Sequence, residues 1–120
     1  MKNLSPKEEI IMNLLWEHGP MFVKEMLNFY DDPKPHVNTV STFVRMLEDR
    51  GFIGHRSFGT SHQYYPLISR SDYYKHTMRG IVNKYFNNSY LGFVSSLVKE
   101  EEISLDELKE LIQQVEQGNE

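Results

Sequence analysis

Asn38, Ser41, Thr42 and Arg45 recur at i, i+3, i+4 and i+7, the spacing that sets side chains on one face of a helix. Asparagine, serine and threonine are mediocre helix formers, and an ordinary solvated face is filled with glutamate and lysine instead. Short donors and acceptors with one arginine let a helix approach base edges and phosphates in a DNA groove. The runs 52–57 (FIGHRS) and 62–66 (HQYYP) flank 58–61 (FGTS), a hairpin pattern with hydroxyls at its tip and Arg56 on its flank. A polar helix face beside a projecting hairpin implies a reader of double-stranded DNA.

Other chemistry has little support. His18, His36, His55, His62 and His76 are scattered, without the i, i+4 histidine pair and carboxylate of metallohydrolase helices. His55 and His62 are set to approach across the hairpin, but two imidazoles lacking a third ligand fit polar hairpin residues better than a zinc site. Glu100, Glu101 and Glu102 are consecutive, so they point in different directions on a helix, as at a solvated helix end. No glycine-rich phosphate loop and no Gly-x-Ser-x-Gly elbow is present, so neither enzyme activity, a cofactor nor a metal is expected.

The reading face needs a scaffold, and the flanking sequence predicts one. Ser5-Pro6-Lys7-Glu8 is a capping box opening a helix over about 5–18, and Gly19-Pro20 stops it. A second helix is predicted over 21–30 with Val23, Met26 and Leu27 facing inward, before the turn Asp31-Asp32-Pro33-Lys34-Pro35. The third, over about 36–50, buries a stripe of Val37, Val40, Val44 and Leu47 behind its polar face. Three helices and a hairpin in this order predict a winged helix-turn-helix over 1–67.

Beyond it, 68–120 is predicted as a three-helix dimerisation region, making the whole chain mostly α with a small β-hairpin. A helix over 73–87 carries Tyr74, Met78, Ile81 and Tyr85 on one face, and Asn88-Ser89 interrupts it. A second, largely apolar helix holds Tyr90, Leu91, Phe93, Val94, Leu97 and Val98. The box Ser104-Leu105-Asp106-Glu107 opens a third with Leu105, Leu108, Leu111, Ile112 and Val115. So much apolar surface on three short helices calls for a partner chain, and a second copy is expected. The positions expected to meet it are Tyr74, Met78, Ile81, Tyr85, Tyr90, Phe93, Val94, Leu97, Leu108 and Ile112.

Composition sets the compartment and tempers the DNA reading. Of 120 residues, 39% are hydrophobic and 25% charged, as in ordinary soluble domains, and no apolar run approaches a membrane span. The N-terminal MKNLSPKEE lacks a signal-peptide core and cysteine is absent, so a cytoplasmic protein is expected. The net charge is −4, yet 33–66 is locally positive (Lys34, Arg45, Arg50, Arg56 against Glu48, Asp49), whereas 99–120 holds 2 bases against 8 acids. Phosphate neutralisation dominates non-specific affinity, so modest, salt-dependent binding that relies on dimerisation is expected. Two alternatives remain open: a winged helix that binds another protein with the same face, and a small-molecule pocket among Tyr73, Tyr74, Met78, Tyr85 and Phe93.

The chain resembles the penicillinase-repressor (BlaI/MecI/CopY) family of winged-helix repressors along nearly its whole length. The matching pattern is Ser5-Pro6, Ile11-Met12 and Leu15-Trp16, then Thr39-Val40-x-Thr42, Leu47 and Arg50-Gly51-Phe52-Ile53, then His55, Gly59 and Tyr64-x-Pro66. The resemblance implies a homodimeric transcriptional repressor of a β-lactam-responsive system, binding a palindromic operator. It places Asn38, Thr39, Ser41, Thr42 and Arg45 on the DNA-facing helix, with hairpin contacts at Arg56, Ser57 and Thr60. Family members often carry arginine or glutamine at the position of Ser41 and a basic residue at that of Ser57 or Thr60, so the operator sequence does not carry over. In antibiotic-responsive members a membrane sensor and protease system leads to cleavage at an Asn-Phe bond; Ser96-Leu97 stands there in this chain. Copper-responsive members end in a cysteine-rich motif that this chain lacks.

Overall fold

A computed structural model describes residues 2–118. The elements are α1 (Pro6–His18), β1 (Met21–Phe22), α2 (Val23–Leu27), α3 (Val37–Asp49), β2 (Ile53–Phe58), β3 (Ser61–Pro66), α4 (Arg70–Phe86), α5 (Tyr90–Lys99) and α6 (Leu105–Glu116). The fold is mostly helical with one small antiparallel sheet, a winged helix followed by a helical C-terminal region. It forms two compact units, one ending at His76 and the other beginning at Thr77. Among the described residues, no helix is long and apolar enough to cross a membrane.

α1 starts as its sequence predicts. The Ser5 hydroxyl accepts from the Glu8 N–H at 3.3 Å while the Glu8 carboxylate accepts from the Ser5 N–H at 2.9 Å, satisfying two otherwise orphaned donors. Gly19, at φ +78, ends the helix. Its inner face places Ile11, Met12 and Leu15 in a core with Met26, Val40, Val44, Leu47, Phe52 and Ile53.

α2 is shorter than the predicted 21–30. Met21 and Phe22 form a strand instead, pairing with Tyr64 and Gln63 and giving a three-stranded sheet of order β1-β3-β2. Phe22 is extended, and the Glu25 carboxylate accepts its N–H at 2.9 Å, so the helix begins only at Val23. Met26 is buried, with Val23 and Leu27 packed against the core. Beyond the helix, the Lys34 ammonium donates to the carbonyls of Leu27 and Tyr30 at 3.1 and 2.9 Å.

α3 buries Val40, Val44 and Leu47 and half-buries Val37, the predicted stripe. Its N-cap is His36, whose Nδ1 accepts from the Asn38 N–H at 3.0 Å. β2 and β3 stay in register as far as the pair Phe58 and Ser61. The predicted tip 58–61 therefore reduces to a two-residue turn, Gly59-Thr60. Gly59 has φ +62, at the position where a type II′ hairpin takes glycine.

The first unit continues past residue 67 because the start of α4 is tied to α1. The Leu4 N–H donates to the Tyr73 hydroxyl at 2.7 Å, and the Trp16 indole donates to the Ile68 carbonyl at 2.8 Å. In the second unit, the Ser89 hydroxyl caps α5 by accepting from the Gly92 N–H at 2.9 Å. Ser104 and Glu107 form the predicted capping box of α6. Hydrogen bonds from the Ser104 N–H and hydroxyl hold the Glu107 carboxyl below its ordinary range, opposed by a smaller desolvation effect.

Candidate nucleic-acid interface

Helix geometry gives α3 two polar edges. Ser41, Arg45 and Glu48, at i, i+4 and i+7, run along the edge that faces the hairpin, while Asn38, Thr39 and Thr42 are exposed on the other. Ser41 is half-buried because it lines an open cleft between α2, α3 and the hairpin, of about 630 Å³, with Lys24, Phe58, Thr60, Ser61, His62 and Tyr64. Lys24, at the rim of this cleft, is a cation that the helical periodicity gave no reason to single out.

The outer edge is internally bonded. The Thr42 hydroxyl donates to the Asn38 carbonyl at 2.8 Å, and the Arg45 guanidinium donates to the Thr42 oxygen at 3.4 Å. The Thr42 hydroxyl proton is thus spent inside the helix, and its oxygen is left as an acceptor shared with Arg45. Arg45 also acts on Tyr64. Burial and then the nearby Glu48 carboxylate push that phenol up, and Arg45 opposes them, so Tyr64 stays protonated at neutral pH.

Strand alternation sorts the hairpin residues. Cross-strand partners share a face, so His55 with Tyr64 and Ser57 with His62 lie on one side of the sheet, and Arg56 with Gln63 and Phe58 with Ser61 on the other. The structure therefore brings Asn38, Thr39, Ser41, Thr42 and Arg45 together on α3 but does not bring Arg56 and Ser57 to one face. Arg56 instead lies 6.0 Å over the Tyr65 ring, and Thr60 stands exposed in the turn.

The expected approach of His55 and His62 occurs: their rings stack 4.2 Å apart and 1° from parallel. In-plane nitrogen lone pairs on parallel rings do not converge on one ion, and among the described residues no group of three His, Cys, Asp or Glu could hold a metal. Glu48 was missed as a partner of this pair. Its carboxylate lies 2.5 Å from His55 Nδ1, and the available signal was its place on the stripe of Ser41 and Arg45. Arg50, counted among the local positive charges, is engaged elsewhere, 2.7 Å from the Glu8 carboxylate.

Of the positions expected to meet a second copy, Tyr74, Met78, Ile81, Tyr85, Tyr90, Val94 and Ile112 are exposed on this chain, and Phe93, Leu97 and Leu108 are half-buried. Phe93 packs edge-on to Phe86 with ring centres 5.3 Å apart. Leu91, which the expected set leaves out, is the most exposed large hydrophobic side chain among the described residues, at 85%.

Known proteins are similar to this chain along most of their length. The methicillin resistance regulatory protein MecI of Staphylococcus aureus (strain N315) is 28% identical over 111 residues, covering 90% of this chain and 89% of its own. The MecI of Mammaliicoccus sciuri shows the same identity and coverage. The penicillinase repressor of Bacillus licheniformis is 24% identical over 115 residues, covering 95% of this chain and 90% of its own. Residues 4–117 match the family model described as Penicillinase repressor, a span taking in α3, the hairpin and all three C-terminal helices. The polar face of α3 and the hairpin beside it thus belong to a member of the penicillinase-repressor family of transcriptional repressors.

Proposed function

We propose that the chain is a homodimeric repressor that reads a palindromic operator, with Asn38, Thr39, Ser41, Thr42 and Arg45 of α3 in the major groove. The observation that carries this reading is the exposed face of α3 on which Arg45, from the hairpin-side edge, bonds across to Thr42 and Thr42 to Asn38, beside a projecting hairpin. The hairpin supplies Arg56, Ser57 and Thr60 to the flanking backbone, Arg56 from one face of the sheet and Ser57 from the other. Two-fold symmetry requires half-site centres about 10 bp apart, one helical turn, or a multiple of it. Selecting bound duplexes from a random pool at low and high salt tests this: a palindrome of that spacing is expected to be enriched. Binding without sequence preference, or none, overturns it.

Arg45→Ala is expected to weaken operator binding by about 1–3 kcal/mol, concentrated on one base pair, if the guanidinium reads a guanine edge. If it holds a phosphate, the loss is uniform across sequences and the salt slope becomes shallower by about 1. Titrating wild type and variant against single-base operator variants at several salt concentrations separates these, and unchanged binding throughout removes Arg45 from the interface.

The dimer is supported by the apolar side chains left exposed on α4, α5 and α6. The names of the relatives, a methicillin resistance regulatory protein and a penicillinase repressor, support a β-lactam-responsive system, and the family resemblance adds a membrane sensor and protease acting on the repressor to release the operator. The position of cleavage carried by the family resemblance, Ser96-Leu97, lies inside α5, where the Ser96 hydroxyl donates to the Phe93 carbonyl at 2.7 Å. A protease needs extended backbone, so cutting there first requires α5 to open locally.

A further inference from the structure

The outer hairpin has no core of its own. On β2 and β3, Ile53 and Tyr64 are buried, whereas Arg56, Ser57, Phe58, Ser61 and His62 are exposed. An isolated two-stranded hairpin is marginal in water, so the direction of this one depends on what ties it to the helices behind it. A short hydrogen bond crosses from α3: Glu48 lies 2.5 Å from His55 Nδ1, with both side chains 31% exposed. His62 stacks on His55, and the ring of Tyr64 lies 5.7 Å from that of His55. A line of contacts therefore runs from α3 through Glu48 and His55 to His62, one residue from the last strand pair before the turn.

We propose that Glu48 and His55 are positioning residues that set the distance of the hairpin from α3, with His62 carrying that hold outward toward Gly59-Thr60. This rests on the DNA-reading function above, because a hairpin held at a fixed distance from a reading helix lands on a fixed stretch of backbone. The bond is suited to such a hold, since His55 donates from Nδ1 to the carboxylate both as the Nδ1–H tautomer and as the imidazolium, so the tie survives a change of charge. It is also shielded. The His62 ring covers one side of the donor ring, which a tie through a long, exposed lysine would lack.

The test uses the full chain with Glu48→Ala and Glu48→Gln, the glutamine keeping an oxygen that accepts from His55. Without DNA, amide exchange at 55–62 is expected to quicken about tenfold in Glu48→Ala and to stay within about threefold of wild type in Glu48→Gln, with Val44 and Leu47 unchanged in both. Nitrogen chemical shifts of the wild-type His55 ring should report a protonated Nδ1. On a palindromic duplex recovered by the selection above, the hydroxyl-radical footprint of Glu48→Ala should lose its flanking protection and keep the centre, and Glu48→Gln should restore the flanks. Equal hairpin exchange in Glu48→Ala and wild type, a bare Nδ1, or failure of glutamine to restore the flanks overturns the proposal. A wild-type chain that protects no duplex refutes the DNA reading, and the exchange data then decide the positioning pair alone.

Discussion

Arg50→Ala lowers the unfolding free energy by about 3 kcal/mol at pH 7, the scale of breaking a buried ion pair, and the loss narrows on acidification. Glu8 is 4% exposed, and its carboxylate sits 2.7 Å from the guanidinium, so removing the arginine strands a buried charge. The Arg50 side chain is 26% exposed, which keeps the cost at the lower end for such pairs. Arg50 also donates to the Lys2 and Asn3 carbonyls at 3.2 Å each and lies 4.9 Å over the Phe52 ring, so its loss frees the segment ahead of α1 as well.

Burial pushes the Glu8 carboxyl up, but the Ser5 N–H, the Arg50 guanidinium and the Ser5 hydroxyl together outweigh it and hold it below 4.5. The unfolded chain therefore takes up this proton first as the pH falls. The stabilisation is complete above about pH 4.5 and is lost as the pH drops through the depressed folded value. In Arg50→Ala the same proton removes the stranded charge, so the stabilities of wild type and variant converge in acid. Urea denaturation at neutral pH and in acid measures this, and a constant gap would show that Arg50 acts through packing alone. Arg50→Lys is expected to recover less than half the loss, because a point ammonium does not serve the carboxylate and two carbonyls together as the guanidinium fork does.

What was legible in the sequence was local. The capping boxes at Ser5 and Ser104 involve residues three apart, and the stripe Val40, Val44 and Leu47 is fixed by helical period, so each was predicted and is observed. Residues 21–30 failed because Met21 and Phe22 fit a helical pattern equally well, and what decides their state is a strand formed by Tyr64 and Gln63, far along the chain. Arg50 read as a cation for DNA for the same reason: its partner is Glu8, 42 positions away. The grouping of Arg56 with Ser57 came from the family likeness, whereas the period of a strand alone sets neighbours on opposite faces. Glu48 counts in the sequence only as a local negative charge, because the hairpin must fold back before His55 stands beside it.

Ile112→Asp is expected to separate the proposed dimer into monomers while leaving helix content unchanged. Among the described residues from Thr77 onward, Val82 is the one buried side chain, and α6 carries a stripe of Leu105, Leu108, Ile112 and Val115 at i, i+3, i+7 and i+10. Ile112 is 49% exposed on the single chain, so an aspartate there stays solvated and costs the monomer no more than about 0.5 kcal/mol. In a two-fold dimer the same substitution is buried twice. At about 2 kcal/mol or more per copy, the dissociation constant rises by about a thousandfold. Leu97→Asp should dissociate the dimer too, but Leu97 is half-buried within its own chain, so helix content should fall with it. Sedimentation equilibrium with circular dichroism on both variants distinguishes loss of assembly from loss of fold, and an intact Ile112→Asp dimer moves the interface off α6. The consequence for DNA is large, because a monomer holds one half-site and forfeits the effective concentration that links the two, about a hundredfold or more in affinity. Since α3 is untouched in Ile112→Asp, the operator affinity it loses measures what the second copy contributes.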